Sequence, residues 1–173
     1  MRLQTERLEL IPYSPQIIEA AITDKSQVAS LLNVNVPEDW PWEEVLDAFP
    51  VFAELANDPT QQNWGAWLII HRLDKTLIGD LGFGGKPDPT GKVEMGYNII
   101  AAYRNQGYGF EAVQALVNWA TTQPNLKKIV ASCPVDHIPS MRILEKLGMN
   151  CVEKTPALLT WEKVVLRGEI LEA

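Results

Sequence analysis

The segment of this chain best suited to chemistry is a glycine-rich turn with the sequence Arg104-Asn105-Gln106-Gly107-Tyr108-Gly109. A strand-like segment precedes the turn, and an amphipathic helical segment begins near Phe110. Because glycine adopts backbone conformations closed to other residues, successive N–H groups can converge on an anion at the positive end of that helix. The turn therefore predicts a cradle for a pyrophosphate group.

Two other interpretations of this turn stay open. Gly107, Gly109 and Ala112 satisfy the dinucleotide fingerprint G-x-G-x-x-A, which requires a short turn inside a βαβ unit. The glycines are also compatible with a plain helix start that binds no ligand. A Walker A loop is excluded, because no Lys-Ser or Lys-Thr follows the second glycine.

Composition limits the fold and the partners. The chain has 173 residues, of which 46% are apolar and 21% charged, as is typical of a globular protein. Its 15 Lys and Arg against 22 Asp and Glu give a net charge of -7, which repels nucleic-acid phosphates and anionic lipids. We expect one domain over residues 1–173, with neither a nucleic-acid nor a membrane partner, and a homodimer stays open.

The cysteines and histidines do not form a metal-binding pattern. Cys133 and Cys151 lie far apart, and neither His71 nor His137 completes a zinc set. The N-terminus has no apolar signal region, and the longest apolar stretch, 64–70, is too short to span a membrane. We expect reduced thiols, no metal and a cytoplasmic location.

The pattern of residues predicts a mixed α and β architecture. A strand over 8–12 precedes a helix start at Ser14-Pro15, and one or two short helices continue to about residue 33. Another helix begins behind Pro41, where Glu43 and Glu44 suit the positive end of a helix, and ends before residues 57–59.

From residue 64 onward, strand patterns dominate. Three runs of β-forming residues, 64–71, 76–83 and 92–99, are separated by short turns and predict an antiparallel meander. They are followed by a helix from about residue 110, a strand over 128–133, a helix over 139–147 and strands over 151–154 and 158–166. This order predicts a mixed, partly antiparallel sheet with helices on both faces.

Two motifs at this spacing resemble the signatures of the GNAT superfamily of acyl-CoA N-acyltransferases. They are Arg104-x-x-Gly107-x-Gly109 after the strand Val93-Glu94-Met95-Gly96-Tyr97, and Ser140-Met141-Arg142-Ile143-Leu144-Glu145-Lys146-Leu147-Gly148-Met149. The opening Leu3-Gln4-Thr5-Glu6-Arg7-Leu8-Glu9-Leu10 resembles the RimJ/RimL-type branch, which includes N-terminal acetyltransferases of ribosomal proteins. The resemblance implies the α+β GNAT fold, a mixed, mostly antiparallel sheet of about seven strands, and acetyl transfer from acetyl-CoA to a primary amine.

The resemblance also implies how CoA is held. Its pyrophosphate would be bound by the main-chain N–H groups of Gln106, Gly107, Tyr108, Gly109 and Phe110. Arg104 either adds a charge contact or is a solvated loop residue. Pantetheine would lie between the strand over 92–99 and the strand over 128–133, where the main chains of Tyr97, Asn98 and Ile99 pair with its amides. An N–H near Asn98 would polarise the thioester carbonyl, and Ser140 would face the other side of the CoA arm.

Two departures from the family pattern concern proton transfer. Leu144 replaces the usual tyrosine general acid, and His137 replaces the usual asparagine. The imidazole of His137 either replaces the missing acid or is satisfied by a neighbouring carbonyl. The loss is tolerable, because a thiol with a pKa near ~8.5 leaves readily as a thiolate.

The acceptor amine, by contrast, needs a base. An aliphatic amine arrives protonated at neutral pH and must lose a proton before it attacks the thioester. Glu94 resembles the catalytic glutamate of some GNAT enzymes, but it is also compatible with the polar face of an amphipathic strand. No Ser-His-Asp or Cys-His set is present, which favours direct attack in a ternary complex.

A tryptophan-containing acidic segment over 38–47 could border the acceptor groove and attract a cationic amine. Alternatively, it is a solvated acidic face with Trp40 and Trp42 packed inward. Two rival functions also stay open for the whole chain: a catalytically weak acyl-CoA-binding or sensing module, and a nucleotide-binding oxidoreductase fragment.

Overall fold

A computed structural model describes residues 1–166, which contain a continuous sheet of eight strands. The strands are β1 Leu3–Gln4, β2 Leu8–Pro12, β3 Ala66–His71, β4 Thr76–Phe83, β5 Lys92–Ile99, β6 Lys128–Pro134, β7 Asn150–Lys154 and β8 Leu158–Val164. Their order across the sheet is β1-β2-β3-β4-β5-β6-β8-β7, and every neighbouring pair is antiparallel except β5 with β6. The predicted mixed, mostly antiparallel α+β sheet is confirmed.

Within the described residues, five α-helices cover the two faces of the sheet. They are α1 Pro15–Thr23, α2 Lys25–Leu32, α3 Glu43–Asn57, α4 Tyr108–Thr121 and α5 Ile138–Lys146. One hydrophobic core, which includes Leu116 and Leu144, lies on the face covered by α4 and α5. The other core, which includes Ile18 and Phe49, lies on the face covered by α1 to α3. The sheet therefore presents two separate environments, here called the α4 face and the α3 face.

The sequence pattern predicted most element boundaries closely. The predicted strands over 76–83 and 92–99 agree with β4 and β5 residue for residue. The strand predicted over 64–71 begins at Ala66, and the helix predicted near residue 110 begins at Tyr108. The strand predicted over 158–166 ends at Val164. The eighth strand, β1, was not predicted, because two residues are too few to show an alternating pattern.

Local capping explains where the first helices begin and end. The Ser14 hydroxyl accepts a hydrogen bond from the N–H of Ile17 at 3.1 Å, and Pro15 occupies the first helical position. Asn33 ends α2 in the left-handed conformation, with φ of 53°. The predicted cap at Ser14 is therefore confirmed.

We expect Ser14→Ala to lower the free energy of unfolding by about 1 kcal/mol, because the substitution leaves the N–H of Ile17 without its side-chain acceptor. Urea denaturation measures the difference. Ser30→Ala is the matched control, since Ser30 is exposed inside α2 and its hydroxyl bonds only to a carbonyl of its own helix. Equal losses in the two variants would contradict a capping role for Ser14.

Candidate active site

The glycine-rich turn presents a row of unbonded main-chain donors at the start of α4. Asn105 and Gly107 both have left-handed conformations, with φ of 61° and 85°. The first helical hydrogen bond runs from the N–H of Glu111 to the Gly107 carbonyl at 3.1 Å. Within residues 1–166, no acceptor is recorded for the preceding N–H groups, those of Gln106, Gly107, Tyr108, Gly109 and Phe110. Five donors at the positive end of a helix of 14 residues suit an anion such as pyrophosphate.

The side chain of Arg7 holds this turn in place. The sequence did not single out Arg7 as a site residue. Its Nη1 donates to the Gln106 carbonyl at 3.0 Å, and its Nε donates to Glu111 Oε2 at 2.7 Å. Its guanidinium also lies 4.2 Å from the centre of the Tyr108 ring. Burial alone would raise the pKa of Glu111, but hydrogen bonds from Thr5 and Arg7 outweigh it and lower that pKa. Arg7 and Glu111 therefore form an ion pair at neutral pH.

A slot opens between β5 and β6 beside the turn. The parallel pairing of these strands ends at Met95 opposite Ala131, although β5 continues to Ile99 and β6 to Pro134. On its far side, β6 remains paired with β8 as far as Pro134. The last residues of β5 therefore have no strand partner on this edge.

Hydrogen bonds at the two ends of β5 show which main-chain groups face the slot. The Glu94 carbonyl accepts from Gly84 at 3.1 Å, and the Ile100 N–H donates to Ile78 at 2.8 Å, so both point toward β4. Because successive residues of a strand alternate in direction, Asn98 also directs its main chain toward β4, opposite its partner Asp80. Tyr97 and Ile99 direct their N–H and carbonyl groups into the slot.

Arg104 lies at the turn end of the slot. Its Nε donates to the Ile99 carbonyl at 2.8 Å, so its guanidinium is tied to the end of β5. The Arg104 side chain is exposed, and its two terminal NH₂ groups make no recorded contact with the described residues. It is therefore neither a freely solvated arginine nor one committed to a carboxylate.

The start of α5 closes the slot on the α4 face. The Tyr97 hydroxyl donates to the Ser140 carbonyl at 3.3 Å, and burial raises the pKa of Tyr97 to about 12. Ser140 is half-buried in the first helical turn, and its N–H donates to His137 Nδ1 at 3.3 Å. His137 thus caps α5 by accepting from an N–H, not by donating to a carbonyl as the sequence indicated. Leu144 is fully buried in the core, away from solvent.

A cavity of about 340 Å³ lies on the α3 face, next to the end of β5. We call it the α3-face cavity; α3 contributes Glu44, Val45, Ala48 and Phe52, and β4 and β5 contribute Asp80, Gly82, Gly96 and Asn98. Gly82 pairs directly with Gly96, so two adjacent strands carry no side chain there. A Cβ built on Gly96 would meet nothing within 4 Å. The cavity is thus open space over a bare part of the sheet.

Glu94 and Asn98 lie on the same face of β5 as this cavity. Alternation along the strand places them with Gly96, opposite the buried Val93 and Met95. Glu94 is exposed and Asn98 is half-buried. The strand therefore carries a carboxylate and an amide on the α3 face, while its slot-facing main chain lies along the edge.

The acidic segment over 38–47 divides into buried and exposed parts. Trp40 has no exposed surface, and Trp42 is half-buried. Trp40 therefore cannot offer a ring face to a cationic acceptor, and for this residue the inward-packed interpretation is confirmed. Glu43 and Glu44 are exposed, and Glu44 lines the α3-face cavity.

Asp80 is a further residue that the sequence did not single out. Only 5% of it is exposed, and it accepts hydrogen bonds from the Tyr13 hydroxyl and, at 2.9 Å, from Trp40 Nε1. Burial raises the pKa of Asp80 to about 6, although both hydrogen bonds oppose that shift. The sequence did contain one indication that this residue has a role, because Asp80 lies among the mostly apolar residues of β4.

Several observations restrict other kinds of site. Residues 100–107 separate β5 from α4 and include a 3-10 helix, so the turn lacks the short connection of a dinucleotide fold. A larger cavity of about 570 Å³ adjoins the C-terminal half of α3, but no residue of β5 or of the glycine-rich turn lines it. In the described part of the chain, no set of three or more His, Cys, Asp or Glu residues could hold a metal ion. None of the helices within residues 1–166 is long and apolar enough to span a membrane.

A family profile and a curated relative both match most of this chain. A profile of the Acetyltransferase (GNAT) domain matches residues 7–150. The chain is 31% identical over 160 residues to the uncharacterized N-acetyltransferase YjdG of Bacillus subtilis (strain 168), which covers 92% of this chain and 95% of that relative.

Solved structures share the fold at lower identity. The ribosomal-protein-S5-alanine acetyltransferase of Vibrio fischeri has a TM-score of 0.68 at 14% identity, over 98% of this chain and 99% of that one. The ribosomal-protein α-N-acetyltransferase RimL, solved with coenzyme A, has a TM-score of 0.66 at 13% identity, over 95% of this chain and 98% of that one. At these identities the likeness establishes the fold alone. The profile match and the identity to YjdG show that this chain belongs to the GNAT family and is an acyl-CoA-dependent acetyltransferase.

Proposed function

We propose that the protein transfers the acetyl group of acetyl-CoA to a primary amine by direct attack in a ternary complex. The observation that carries the proposal is the slot between β5 and β6, which runs from the N–H cradle toward the α3-face cavity. Acetyl-CoA supplies an activated acyl group as a thioester. The protein would hold the phosphates, align the thioester and prepare the amine.

The proposed cofactor contacts follow from donors that lack partners. The N–H groups of Gln106 to Phe110 would bind the pyrophosphate, and the terminal NH₂ groups of Arg104 would add charge. The slot-facing groups of Tyr97 and Ile99 would pair with the pantetheine amides. The two neighbours of Asn98, Tyr97 and Ile99, direct their N–H groups into the slot, so we assign the polarising contact to the N–H of Ile99 and not to the main chain of Asn98. Ser140 would flank the CoA arm from α5.

On the acceptor side, we propose Glu94 as the general base. It is an exposed carboxylate on the cavity face of β5, where it can take the amine proton directly or through a water molecule. The Asn98 side chain, on the same face, would position the amine or that water. The buried Leu144 cannot donate a proton, so the sulfur would leave as a thiolate.

For the acceptor we propose an amine of the kind that RimJ/RimL-type enzymes use, a protein N-terminus or a small amine. Two proteins with the same fold are named as acetyltransferases of ribosomal proteins, which supports the branch. We further propose that residues 1–173 form one domain of a cytoplasmic enzyme, an assignment consistent with the two free cysteines, Cys133 and Cys151. A homodimer remains an alternative to a monomer.

A second candidate function is a catalytically weak acyl-CoA-binding module. The observation that favours it is Leu144, which fills the position of the usual general acid and is fully buried. Release of free CoA thiol with a panel of primary amines separates the two functions. Acetyl-CoA binding without amine-dependent thiol release would favour the binding module.

We expect acetyl-CoA at 100 times its Kd to raise Tm by roughly 5–10 °C, and Gly107→Glu to abolish this shift. The new carboxylate would lie where the pyrophosphate binds, and its Cβ would meet Arg7 Nη2 at 3.3 Å. Gly148→Glu is the matched control, since Gly148 is also left-handed, with φ of 76°, but lies beyond α5. Differential scanning fluorimetry measures the Tm of both variants with and without acetyl-CoA. A full acetyl-CoA shift in a folded Gly107→Glu variant would disprove the assignment of the turn as the pyrophosphate site.

We expect Glu94→Gln to lower kcat by ~10²-fold or more at pH 7, because the amide cannot accept the amine proton. Recovery at high pH, where the free amine is more abundant, would be partial. Steady-state kinetics measures kcat, and the acetyl-CoA Kd should stay unchanged. Glu153→Gln, on the exposed edge strand β7, is the control. Wild-type turnover in Glu94→Gln would contradict the role of general base and leave Glu94 as a residue of the solvated strand face.

We expect acceptors with an additional positive charge to show higher kcat/KM than neutral-tailed acceptors of equal size, and the double variant Glu43→Lys and Glu44→Lys to remove that preference. The exposed carboxylates raise the local concentration of cations within about the Debye length, ~8 Å at physiological salt. Rising salt should shrink the difference.

The matched control for this charge reversal is the double variant Glu19→Lys and Glu54→Lys. Both residues are exposed, and neither lines the α3-face cavity, so the variant has the same net charge as the test protein. The KM for acetyl-CoA should be unchanged in both proteins. If both double variants alter the preference equally, net charge and not position is responsible.

A further inference from the structure

The charge of Asp80 has no compensating cation in the described structure. Its two oxygens accept from the Tyr13 hydroxyl and from the Trp40 indole, which are both neutral donors. None of the ion pairs recorded within residues 1–166 includes Asp80. A buried carboxylate with only neutral partners keeps a large part of its desolvation cost.

The two hydrogen bonds explain the position of Asp80 but not its charge. An asparagine could accept from Trp40 through its oxygen and donate to Tyr13 through its amide nitrogen, because a tyrosine hydroxyl can donate or accept. If Asp80 served only to hold Tyr13 and Trp40 against β4, an asparagine would be sufficient and no carboxylate would be needed. A function for the negative charge would therefore require a cation from outside residues 1–166.

The place where such a group can enter is the α3-face cavity. Asp80 lines it, opposite Asn98 on the neighbouring strand, and no Lys or Arg within residues 1–166 lines it. Gly96, where a Cβ would meet nothing within 4 Å, leaves space on the strand next to Asp80, and Glu44 adds negative charge from α3. A cavity of about 340 Å³ with carboxylates and apolar walls suits an alkylammonium ion.

We propose that Asp80 is the counter-ion that binds the acceptor's ammonium group in the α3-face cavity and so selects alkylammonium acceptors over neutral amines. This inference rests on the proposed function. Asp80 binds the cation, and Glu94, four residues along β5 from the Asp80 partner Asn98, would take its proton through water molecules, so Asp80 acts on specificity. The buried charge pair forms only when the acceptor is present, which links acceptor binding to the relief of an unpaired charge.

The experiment compares a primary alkylamine, which is cationic at pH 7.5, with an O-alkylhydroxylamine of equal length, which is a neutral primary amine at that pH. We expect Asp80→Asn to lower kcat/KM for the alkylamine by ~10²-fold and to leave the O-alkylhydroxylamine within a few fold of wild type. Continued thiol release with the neutral amine shows that acetyl transfer is intact, so failure of this inference is distinguishable from failure of the proposed function. Equal losses with both acceptors, or none with either, would overturn it.

Two further measurements test the inference independently of the Asp80→Asn variant. Gly96→Val adds a side chain whose Cβ would meet nothing within 4 Å, so it should fill part of the cavity. Both acceptors should then lose activity while the acetyl-CoA shift in Tm persists. Unchanged acceptor kinetics in this variant would show that the acceptor does not bind in the cavity.

The second measurement uses the wild-type protein, in case Asp80→Asn fails to fold. An alkylguanidinium ion stays charged at every pH used and cannot be acetylated under these conditions. Because burial raises the pKa of Asp80 to about 6, its carboxylate is ionised at pH 8 and largely protonated at pH 5, so the ion should bind more weakly at pH 5. The other titratable groups near the cavity are Tyr13, Glu44 and Glu94, and the change should persist in Glu44→Gln and Glu94→Gln. Equal affinity at both pH values in all three proteins would overturn the inference.

Discussion

The parallel pairing between β5 and β6 stops after Met95 and Ala131, although both strands continue. Main-chain N–H and carbonyl groups that lose a partner must find another, because an unpaired buried polar group is costly. The strands cannot simply close the gap, since β6 is fixed on its other side by pairing with β8 as far as Pro134. The slot is therefore built into the sheet. The N–H and carbonyl of Tyr97 and the N–H of Ile99 stay available to a ligand with amides, whereas the Ile99 carbonyl already accepts from Arg104 Nε.

The proposed function uses two different parts of β5 for the two substrates. The slot-facing main chain lies along the edge of β5, whereas the side chains of Glu94 and Asn98 project onto the α3 face. Gly96 carries no side chain between them, and a Cβ there would meet nothing within 4 Å. On that proposal, one strand would align the acyl donor by its backbone and the acceptor by its side chains, so that both meet at the same few residues.

The features that the sequence predicted are those with local causes. The strands over 76–83 and 92–99 and the cap at Ser14 depend on alternation, turns and neighbours within a few residues. Arg7 and Asp80 were missed because their roles depend on distant partners: Gln106 is 99 positions from Arg7, and Tyr13 is 67 positions from Asp80. Their contacts exist only after the sheet has formed, and the one local signal, an aspartate among the mostly apolar residues of the strand over 76–83, does not reveal a partner. Inward packing of Trp40 was one of the two interpretations that the sequence left open, and its contact with the distant Asp80 decides between them.

Charge is distributed across the site in a way that the net charge of -7 conceals. At the turn, Arg7 and Arg104 lie beside five unbonded N–H groups, so this end favours an anion despite the acidic chain. At the other end, the α3-face cavity is lined by Asp80 and Glu44, and within residues 1–166 no Lys or Arg lines it. On the proposed function, an acidic protein could therefore bind a polyanionic donor and a cationic acceptor together, because short-range N–H donors would govern the first and the carboxylates of Asp80 and Glu44 the second.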